Sequence, residues 1–274
     1  MTPSAYAFAP YFDDRHRALS DRLQGLVAGP LGPLGRSVDP RAVAEFLGAA
    51  WGLYALLVPD DGAAVDVRAL VCVREALAGL SPLADSIFAV QGLGTYPVLR
   101  AGVGAQRAVL EGVVAGRTVA AFALTEPEAG SDVAALKTTA RRAGDGWVLD
   151  GEKWLISNVP MADYQVVFAN ADPSLGKKGI AAFVVPSDAP GLVREAMPME
   201  GHCLGRLVMQ GCRVGGDALL GAPGDGMRLA LATLDTYRVS VGASANGMAA
   251  RALGLSVARV QGRVQFGEAL ASQQ

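Results

Sequence analysis

Apolar residues recur at every third or fourth position through most of the first 118 residues, which is the spacing of one face of a helix. Asp39 followed by Pro40 is typical of a helix start, because aspartate can cap a helix and proline fits its first position. The pattern therefore predicts an all-helical N-terminal domain over residues 1–118. Its helices are predicted at 13–27, 41–57, 66–80, 82–90 and 106–114.

From residue 119 the pattern changes to short runs of alternating apolar and polar residues, which is typical of half-buried strands. Glycine-containing turns at 144–146 and 150–151 indicate two hairpins. The close spacing of these runs predicts a compact antiparallel β domain or barrel over 119–222. Its strands are predicted at 119–125, 137–143, 147–150, 153–156, 164–171, 179–186, 192–196 and 206–214.

The third segment, 223–274, lacks proline after residue 223 and predicts one long helix over 227–262. Its many glycines and alanines would allow neighbouring helices to approach closely. Each interior glycine costs about 0.5–1 kcal/mol relative to alanine, so we expect this helix to need packing partners. The predicted fold class is α+β, with an N-terminal helical domain, a middle antiparallel β-barrel-like domain and the start of a C-terminal helical bundle.

Composition narrows the possible functions of this 274-residue chain. Its net charge is −2 and it has no basic cluster, which argues against nucleic acid as the main partner. The apolar run at 46–58 is too short to span a membrane, and we expect no signal peptide and a cytoplasmic location. Three cysteines and two histidines are too few for a disulfide framework or a histidine-rich metal site, so we expect buried, unpaired cysteines.

The most informative segment reads Phe-Ala-Leu-Thr-Glu-Pro-Glu-Ala-Gly-Ser-Asp at 122–132. It predicts a strand that ends in a turn broken by proline and glycine, with backbone N–H groups and the hydroxyls of Thr125 and Ser131 exposed together. Oriented amides of this kind favour an anionic or electron-accepting ligand. An isolated turn of this composition is more often an ordinary capping turn. A second segment, Gly-Glu-Lys-Trp-Leu-Ile-Ser-Asn at 151–158, changes that interpretation.

Together, these two segments resemble the flavin-binding signatures of the acyl-CoA dehydrogenase family. Three further stretches resemble elements of the same family in the same order. They are Leu-Gly-Ala-Pro-Gly-Asp-Gly at 220–226, Leu-Asp-Thr-Tyr-Arg at 234–238 and Arg-Val-Gln-Phe-Gly at 263–267. The resemblance implies an FAD-dependent enzyme of fatty acid metabolism that desaturates an acyl-CoA thioester between its α and β carbons. Hydride would pass to flavin N5, and an electron-transfer flavoprotein would accept the electrons.

The resemblance also implies roles for individual residues. Thr125 and Ser157 would place hydroxyls at the flavin ring, and Ser131 would bind the FAD pyrophosphate close to the CoA path. Arg263 and Phe266 would reach the FAD of a neighbouring subunit, which implies a homodimer or homotetramer. The full set of implied FAD-binding residues is Phe122, Leu124, Thr125, Ser131, Leu155, Ile156, Ser157, Arg263 and Phe266. The implied substrate-binding residues are Ser131, Asp235, Tyr237 and Arg238.

Two positions depart from the family pattern. Leu155 stands where an aromatic residue is common, so Trp154 would have to supply any ring stacking. The catalytic glutamate of the family occurs late in the C-terminal domain, beyond residue 274, or at the position of Tyr237. A tyrosine with a pKa near 10 is a poor base at neutral pH, so the catalytic base is unknown.

Several of these residues also have ordinary structural interpretations. Arg263 is by default a cation that favours a helix C-terminus. Asp235 and Arg238 could form a surface ion pair of about 0.5 kcal/mol or less. Glu126 and Glu128 flank the proline of the turn, and we expect structural roles for them.

Three hypotheses remain open from the sequence. The first is an FAD-dependent acyl-CoA dehydrogenase whose missing base and bundle lie in residues not present here or on a partner subunit. The second is a non-catalytic subunit that binds flavin or acyl-CoA and needs a partner chain. The third is a shortened product without stable function, because the Gly-rich long helix would lack its bundle.

Overall fold

The computed structural model describes residues 10–29, 34, 39–59 and 63–273. Most of the predicted helices are present, and the first nine residues of the predicted helical domain lie outside the described part. The helices are α1 Asp14–Ala28, α2 Pro40–Glu45, α3 Val67–Leu80, α4 Pro82–Ala101, α5 Ala105–Val114 and α6 Gly226–Gly262. The strands are β1 Ala120–Ala123, β2 Thr139–Ala143, β3 Gly146–Ser157, β4 Tyr164–Asn170, β5 Ile180–Pro186, β6 Leu192–Met197, β7 Leu204–Val214, β8 Leu219–Leu220, β9 Val264–Gln265 and β10 Glu268–Ala269.

Local capping explains why the helices begin where the sequence predicts. The side chains of Asp13, Asp39 and Asp66 each accept a hydrogen bond from a backbone N–H two residues later, at the start of α1, α2 and α3. Helix α4 begins at Pro82, as predicted, but continues to Ala101 instead of ending near residue 90. Its buried face packs on the helical core and, in its C-terminal half, also on β1, which outweighs the proline at position 97.

The single helix predicted over 41–57 is wrong. Helix α2 ends at Glu45, a π-helical turn covers Phe46–Ala50, and a 3₁₀ turn covers Leu53–Leu57. Gly52 lies between the two turns with φ 62°, a left-handed conformation that breaks the helix and that glycine adopts at low cost. The apolar spacing reflects burial of these turns in the helical core, not one continuous helix.

The middle region forms an eight-stranded sheet with the order β6-β7-β3-β2-β4-β5-β8, and β1 pairs with β4. The expectation of an antiparallel barrel is corrected in two ways. Strands β1 and β2 both pair with β4 in parallel, while the other pairings are antiparallel. In the described part of the chain, the sheet remains open between the edge strands β6 and β8.

The turn at 144–146 is a tight hairpin, as predicted, because Ala143 pairs with Gly146. The second predicted hairpin, at 150–151, is wrong, because β3 runs without a break from Gly146 to Ser157. Gly151 instead lies opposite a bulge, because the register shifts between Leu149 and Gly151 and the extra residue is on β7. Glycine within a strand indicates either a turn or a bulge, and the sequence did not distinguish them.

The long helix α6 differs along its length. Its first half packs on α3 and on the sheet, and Gly247 lies so close to α3 that an added Cβ would overlap the carbonyl oxygen of Glu75. From Arg251 to Arg259 every residue is exposed, including Leu253 and Leu255. No helix among the described residues is both long and apolar enough to cross a membrane.

A buried polar cluster ties α3, α4 and α6 together. The guanidinium of Arg74 donates to both carboxylate oxygens of Asp85, at 2.9 and 2.8 Å, and to the hydroxyl of Ser240 at 3.2 Å. Ser244 donates to the same carboxylate at 2.6 Å. Because each polar group has a partner, burial of this charge pair is compensated.

Candidate functional site

The two predicted binding segments lie side by side. Strand β1 ends at Ala123, and the turn that follows is closed by a hydrogen bond of 2.9 Å from Glu126 N–H to the carbonyl of Ala129. The Thr125 carbonyl accepts a hydrogen bond of 2.9 Å from the Trp154 N–H of β3. The structure therefore brings the turn and the second segment together at one end of the sheet.

A buried ion pair fixes this junction. The Lys153 ammonium donates to the Glu126 carboxylate at 2.7 Å and to the Leu124 carbonyl at 3.2 Å. The backbone N–H groups of Lys137 and Thr138 donate to the same carboxylate at 2.6 and 3.0 Å. With three donors on one carboxylate and the lysine fully buried, the turn has little freedom to move.

The charges of this pair are set by burial and by each other. Burial lowers the pKa of the Lys153 ammonium to about 8, while Glu126 acts in the opposite direction. Burial acts to raise the pKa of Glu126, but Lys153 and the hydrogen bonds hold that pKa below its ordinary value. This confirms the structural role expected for Glu126. Glu128 pairs with Lys137 on the surface.

Leu155 has an unusual backbone that the sequence did not reveal. It adopts φ 57°, a conformation that costs a non-glycine residue about 1–2 kcal/mol, and its side chain is 50% exposed. A bulge produces this geometry, because β3 and β7 shift register between Lys153 and Ile156. The fold thus presents a large apolar side chain to solvent at the predicted ring-binding segment, between buried Lys153 and buried Ile156.

The surfaces next to Leu155 combine apolar and polar character. Phe122 is half-buried and packs on Phe168 with ring centroids 5.0 Å apart. Leu124 is almost fully buried, whereas Thr125 and Ser157 are half-buried. An exposed apolar side chain on strained backbone, together with two accessible hydroxyls, fits a flat heteroaromatic ring such as a flavin.

His202 is a site residue that sequence analysis missed. It lies on the turn between β6 and β7, and its Nε2 is 2.9 Å from the Ser157 hydroxyl and 3.1 Å from the Ser86 hydroxyl of α4. Burial lowers the pKa of His202, and the carboxylate of Asp85 opposes that effect. No local signal predicts this contact, since 45 residues separate Ser157 from His202.

A groove of about 730 Å³ lies beside the turn, at the start of α6. Ser131 and Asp235, both predicted to bind substrate, line the same groove. Three cations that the sequence analysis did not single out also line it: Lys177, Lys178 and Arg228. The adjacent lysines in the glycine-containing turn between β4 and β5 were the available signal for them.

The other two predicted substrate residues lie elsewhere on α6. Tyr237 is buried in the helical core, its ring packs on Tyr96 with centroids 6.0 Å apart, and burial raises its pKa. Its hydroxyl has no hydrogen-bond partner among the described residues. Arg238 is exposed and pairs with Asp235 at 3.4 Å, which is the surface ion pair considered from the sequence.

The structure does not bring Arg263 and Phe266 to this site. They belong to the small hairpin of β9 and β10, which packs on the end of α6. Phe266 is 97% exposed with φ 55°, so within this chain its ring contacts almost nothing. In the described residues, no group of three or more His, Cys, Asp or Glu side chains could hold a metal ion. The three cysteines are buried and unpaired, as expected.

Comparison with known proteins gives the family. Residues 121–212 match the acyl-CoA dehydrogenase middle domain, and residues 224–274 match the acyl-CoA dehydrogenase C-terminal domain. A probable acyl-CoA dehydrogenase of Mycobacterium leprae is 35% identical, and the match covers 96% of this chain and 72% of that protein.

Solved structures agree with this match. Butyryl-CoA dehydrogenase from Megasphaera elsdenii superposes with a TM-score of 0.84 at 28% identity, over 97% of this chain and 74% of that one. An acyl-CoA dehydrogenase from Bacillus anthracis, solved as a complex with FAD, gives a TM-score of 0.82 at 26% identity over 96% of this chain and 47% of that one. The chain belongs to the acyl-CoA dehydrogenase family, whose members are flavoprotein oxidoreductases that bind FAD.

Proposed function

We propose that this chain is an FAD-dependent acyl-CoA dehydrogenase that desaturates an acyl-CoA thioester between its α and β carbons. The observation that carries the proposal is the hydrogen bond from Trp154 to Thr125, which joins the two predicted flavin-binding segments beside an accessible apolar surface. When bound, FAD would accept the β-hydride at N5. Family membership supports the reaction class, and the site residues below are our assignment.

The flavin ring is proposed to lie against the junction of β1 and β3. Phe122, Leu124, Leu155 and Ile156 would provide apolar surface, with Leu155 exposed for contact. Thr125 and Ser157 would provide hydroxyls to the polar edge of the ring, where reduction builds negative charge. The buried pair of Lys153 and Glu126 holds these groups in place, so little reorganisation is needed on binding.

The groove beside the turn is proposed to bind the phosphate-bearing part of the ligands. Lys177, Lys178 and Arg228 place three positive charges around it, and Ser131 adds a hydroxyl. CoA and the FAD pyrophosphate are both anionic, so these cations would attract them and bind their phosphate groups beside the turn. Asp235 would contact the ligand only as a hydrogen-bond acceptor, because its negative charge repels phosphate groups.

The catalytic base stays unassigned, and this favours a second candidate function. Tyr237 occupies the base position of some family members, yet it is buried and its pKa is raised. A group with a raised pKa is a weaker source of the deprotonated form at neutral pH. The alternative is therefore a flavin- and acyl-CoA-binding subunit that needs a partner chain for the base and for the rest of the bundle.

Partner surfaces are also part of the proposal. The exposed hairpin with Arg263 and Phe266 would contact the FAD of a second copy, in a homodimer or homotetramer, and an electron-transfer flavoprotein would accept the electrons. The proposed domains are 1–118, 119–222 and 223–274. The exposed apolar residues of α6, such as Leu253, would be covered in such an assembly.

The test is anaerobic mixing of the FAD-loaded protein with acyl-CoAs of different chain length and branching. Bleaching of the flavin absorbance together with formation of enoyl-CoA is expected. Binding of acyl-CoA without bleaching would instead support the non-catalytic subunit. Absence of both binding and bleaching with every acyl-CoA would refute the proposed reaction.

A further inference from the structure

The imidazole of His202 connects the proposed ring site to the helical domain. Its Nε2 lies 2.9 Å from the hydroxyl of Ser157 on β3 and 3.1 Å from the hydroxyl of Ser86 on α4. Three separate elements thus converge on one nitrogen. Since a hydroxyl can donate or accept, the direction of both hydrogen bonds depends on whether Nε2 carries a proton.

The surroundings of Ser86 decide that direction. Ser86 is only 8% exposed, and among the described residues Nε2 is the single hydrogen-bond partner of its hydroxyl. A buried hydroxyl proton needs an acceptor, and the lone pair of Nε2 is the acceptor within reach. Nε2 therefore carries no proton, and a neutral His202 carries its proton on Nδ1.

Charges near His202 agree with a neutral ring. Burial lowers its pKa, and the nearby carboxylate of Asp85 acts in the opposite direction. That carboxylate is already engaged by the guanidinium of Arg74 at 2.8 and 2.9 Å and by the hydroxyl of Ser244 at 2.6 Å. Because the guanidinium of Arg74 balances the negative charge of Asp85, this carboxylate stabilises an imidazolium at His202 only weakly.

We propose that His202 is the positioning residue of Ser157: the lone pair of its Nε2, shared with the Ser86 hydroxyl, also accepts a hydrogen bond from the Ser157 hydroxyl, which leaves the Ser157 oxygen as a hydrogen-bond acceptor toward the flavin. This inference rests on the proposed function. N5 of oxidised flavin has a lone pair, whereas N5 of reduced flavin carries a proton. An acceptor at Ser157 therefore favours the reduced form and raises the reduction potential of the bound cofactor.

The first test is the two-electron reduction potential of FAD bound to wild-type protein and to the His202→Phe variant. We expect the variant to shift the oxidised-to-reduced equilibrium about tenfold toward the oxidised form, which equals a potential about 30 mV lower. In a Ser157→Ala background, His202→Phe should shift nothing further, because His202 acts through Ser157. An unchanged potential in the single variant, or an equal shift in both backgrounds, would overturn the proposal.

The second test reads His202 in the unmodified site and does not depend on the folding of a His202 variant. The chain has two histidines, so ¹⁵N-histidine labelling gives two ring systems, and a His16→Gln sample assigns them. We expect the His202 Nε2 of the unmodified protein to resonate as an unprotonated nitrogen at neutral pH. A protonated Nε2 would overturn the inference even if the potential shifts.

The outcomes separate this inference from the proposed function. A wild-type protein that takes up no FAD contradicts both. A wild-type protein that binds FAD and is bleached by acyl-CoA, but whose potential does not respond to His202→Phe, contradicts only the role of His202.

Discussion

The junction of β1 and β3, fixed by Lys153 and Glu126, lies next to the groove lined by Lys177, Lys178 and Arg228. The two regions differ in whether their charges are buried or exposed. At the junction, the Lys153 side chain is fully buried and its ammonium has two partners, a carboxylate and a carbonyl. Around the groove, the Asp235 side chain is 72% exposed, and Lys177 and Lys178 are exposed too. Buried charge fixes the shape of the site, whereas exposed charge remains available for ligands.

The largest expected effect comes from breaking the buried pair. Lys153→Met leaves the Glu126 carboxylate buried without its cation, and we expect the free energy of unfolding to fall by about 3–5 kcal/mol. Urea denaturation measures this change. Lys137→Met, which removes the surface partner of Glu128, is the matched control and should leave the midpoint unchanged. Equal midpoints for the two variants would show that the junction is not fixed by this pair.

Charge removal at the groove should change binding without changing the fold. We expect the double variant Lys177→Ala, Lys178→Ala to bind coenzyme A about tenfold more weakly, equal to ~1.4 kcal/mol. The difference should shrink at high salt, because exposed charges are screened. Calorimetry at two salt concentrations checks this, with the urea midpoint as the control for folding. Unaltered affinity at low salt would place the coenzyme elsewhere.

Leu155 tests the same difference between buried and exposed groups, because its side chain is exposed while its backbone is held in a strained conformation next to buried Lys153. Leu155→Gly should raise the free energy of unfolding by about 1 kcal/mol, since glycine adopts the positive φ at lower cost. The same variant should weaken FAD binding through loss of apolar contact. Leu155→Ala is the control, because it loses that contact but keeps the positive φ. If Leu155→Ala is stabilised as much as Leu155→Gly, backbone strain is not the cause.

The smallest effect is expected at the exposed pair on α6. Asp235→Asn removes the ion pair with Arg238, and the free energy of unfolding should change by no more than about 0.5 kcal/mol. The urea midpoint measures it. A loss comparable with that of Lys153→Met would mean that exposed and buried charges contribute alike to stability, and would contradict the difference between the two regions.

The parts of the fold that depend on local signals were predictable. Asp13, Asp39 and Asp66 cap their helices through contacts two residues away, so the sequence contains the cause of each helix start. The turn at 144–146 was correct for the same reason. At Gly151, by contrast, strand β3 continues because β7 pairs with it on both sides of the bulge. No local sequence signal predicts this long-range pairing.

The candidate site shows the same limit. Ser131 and Asp235, to which the resemblance implies a substrate-binding role, line one groove. Lys178 and His202 reach the site only through the arrangement of the sheet, from turns that are distant in sequence from the segments they join. The positive φ of Leu155 depends on a bulge against β7, which again is a long-range cause. Tertiary pairing, not residue type, determines these three features.

The most direct test of the flavin site is titration of the purified chain with FAD, followed by absorbance and flavin fluorescence. We predict one FAD per chain, with a perturbed flavin spectrum and affinity reduced by the double variant Thr125→Ala, Ser157→Ala. Free FAD that elutes apart from a folded protein, with a spectrum identical to that in buffer, would contradict the proposal that these two segments form a flavin site.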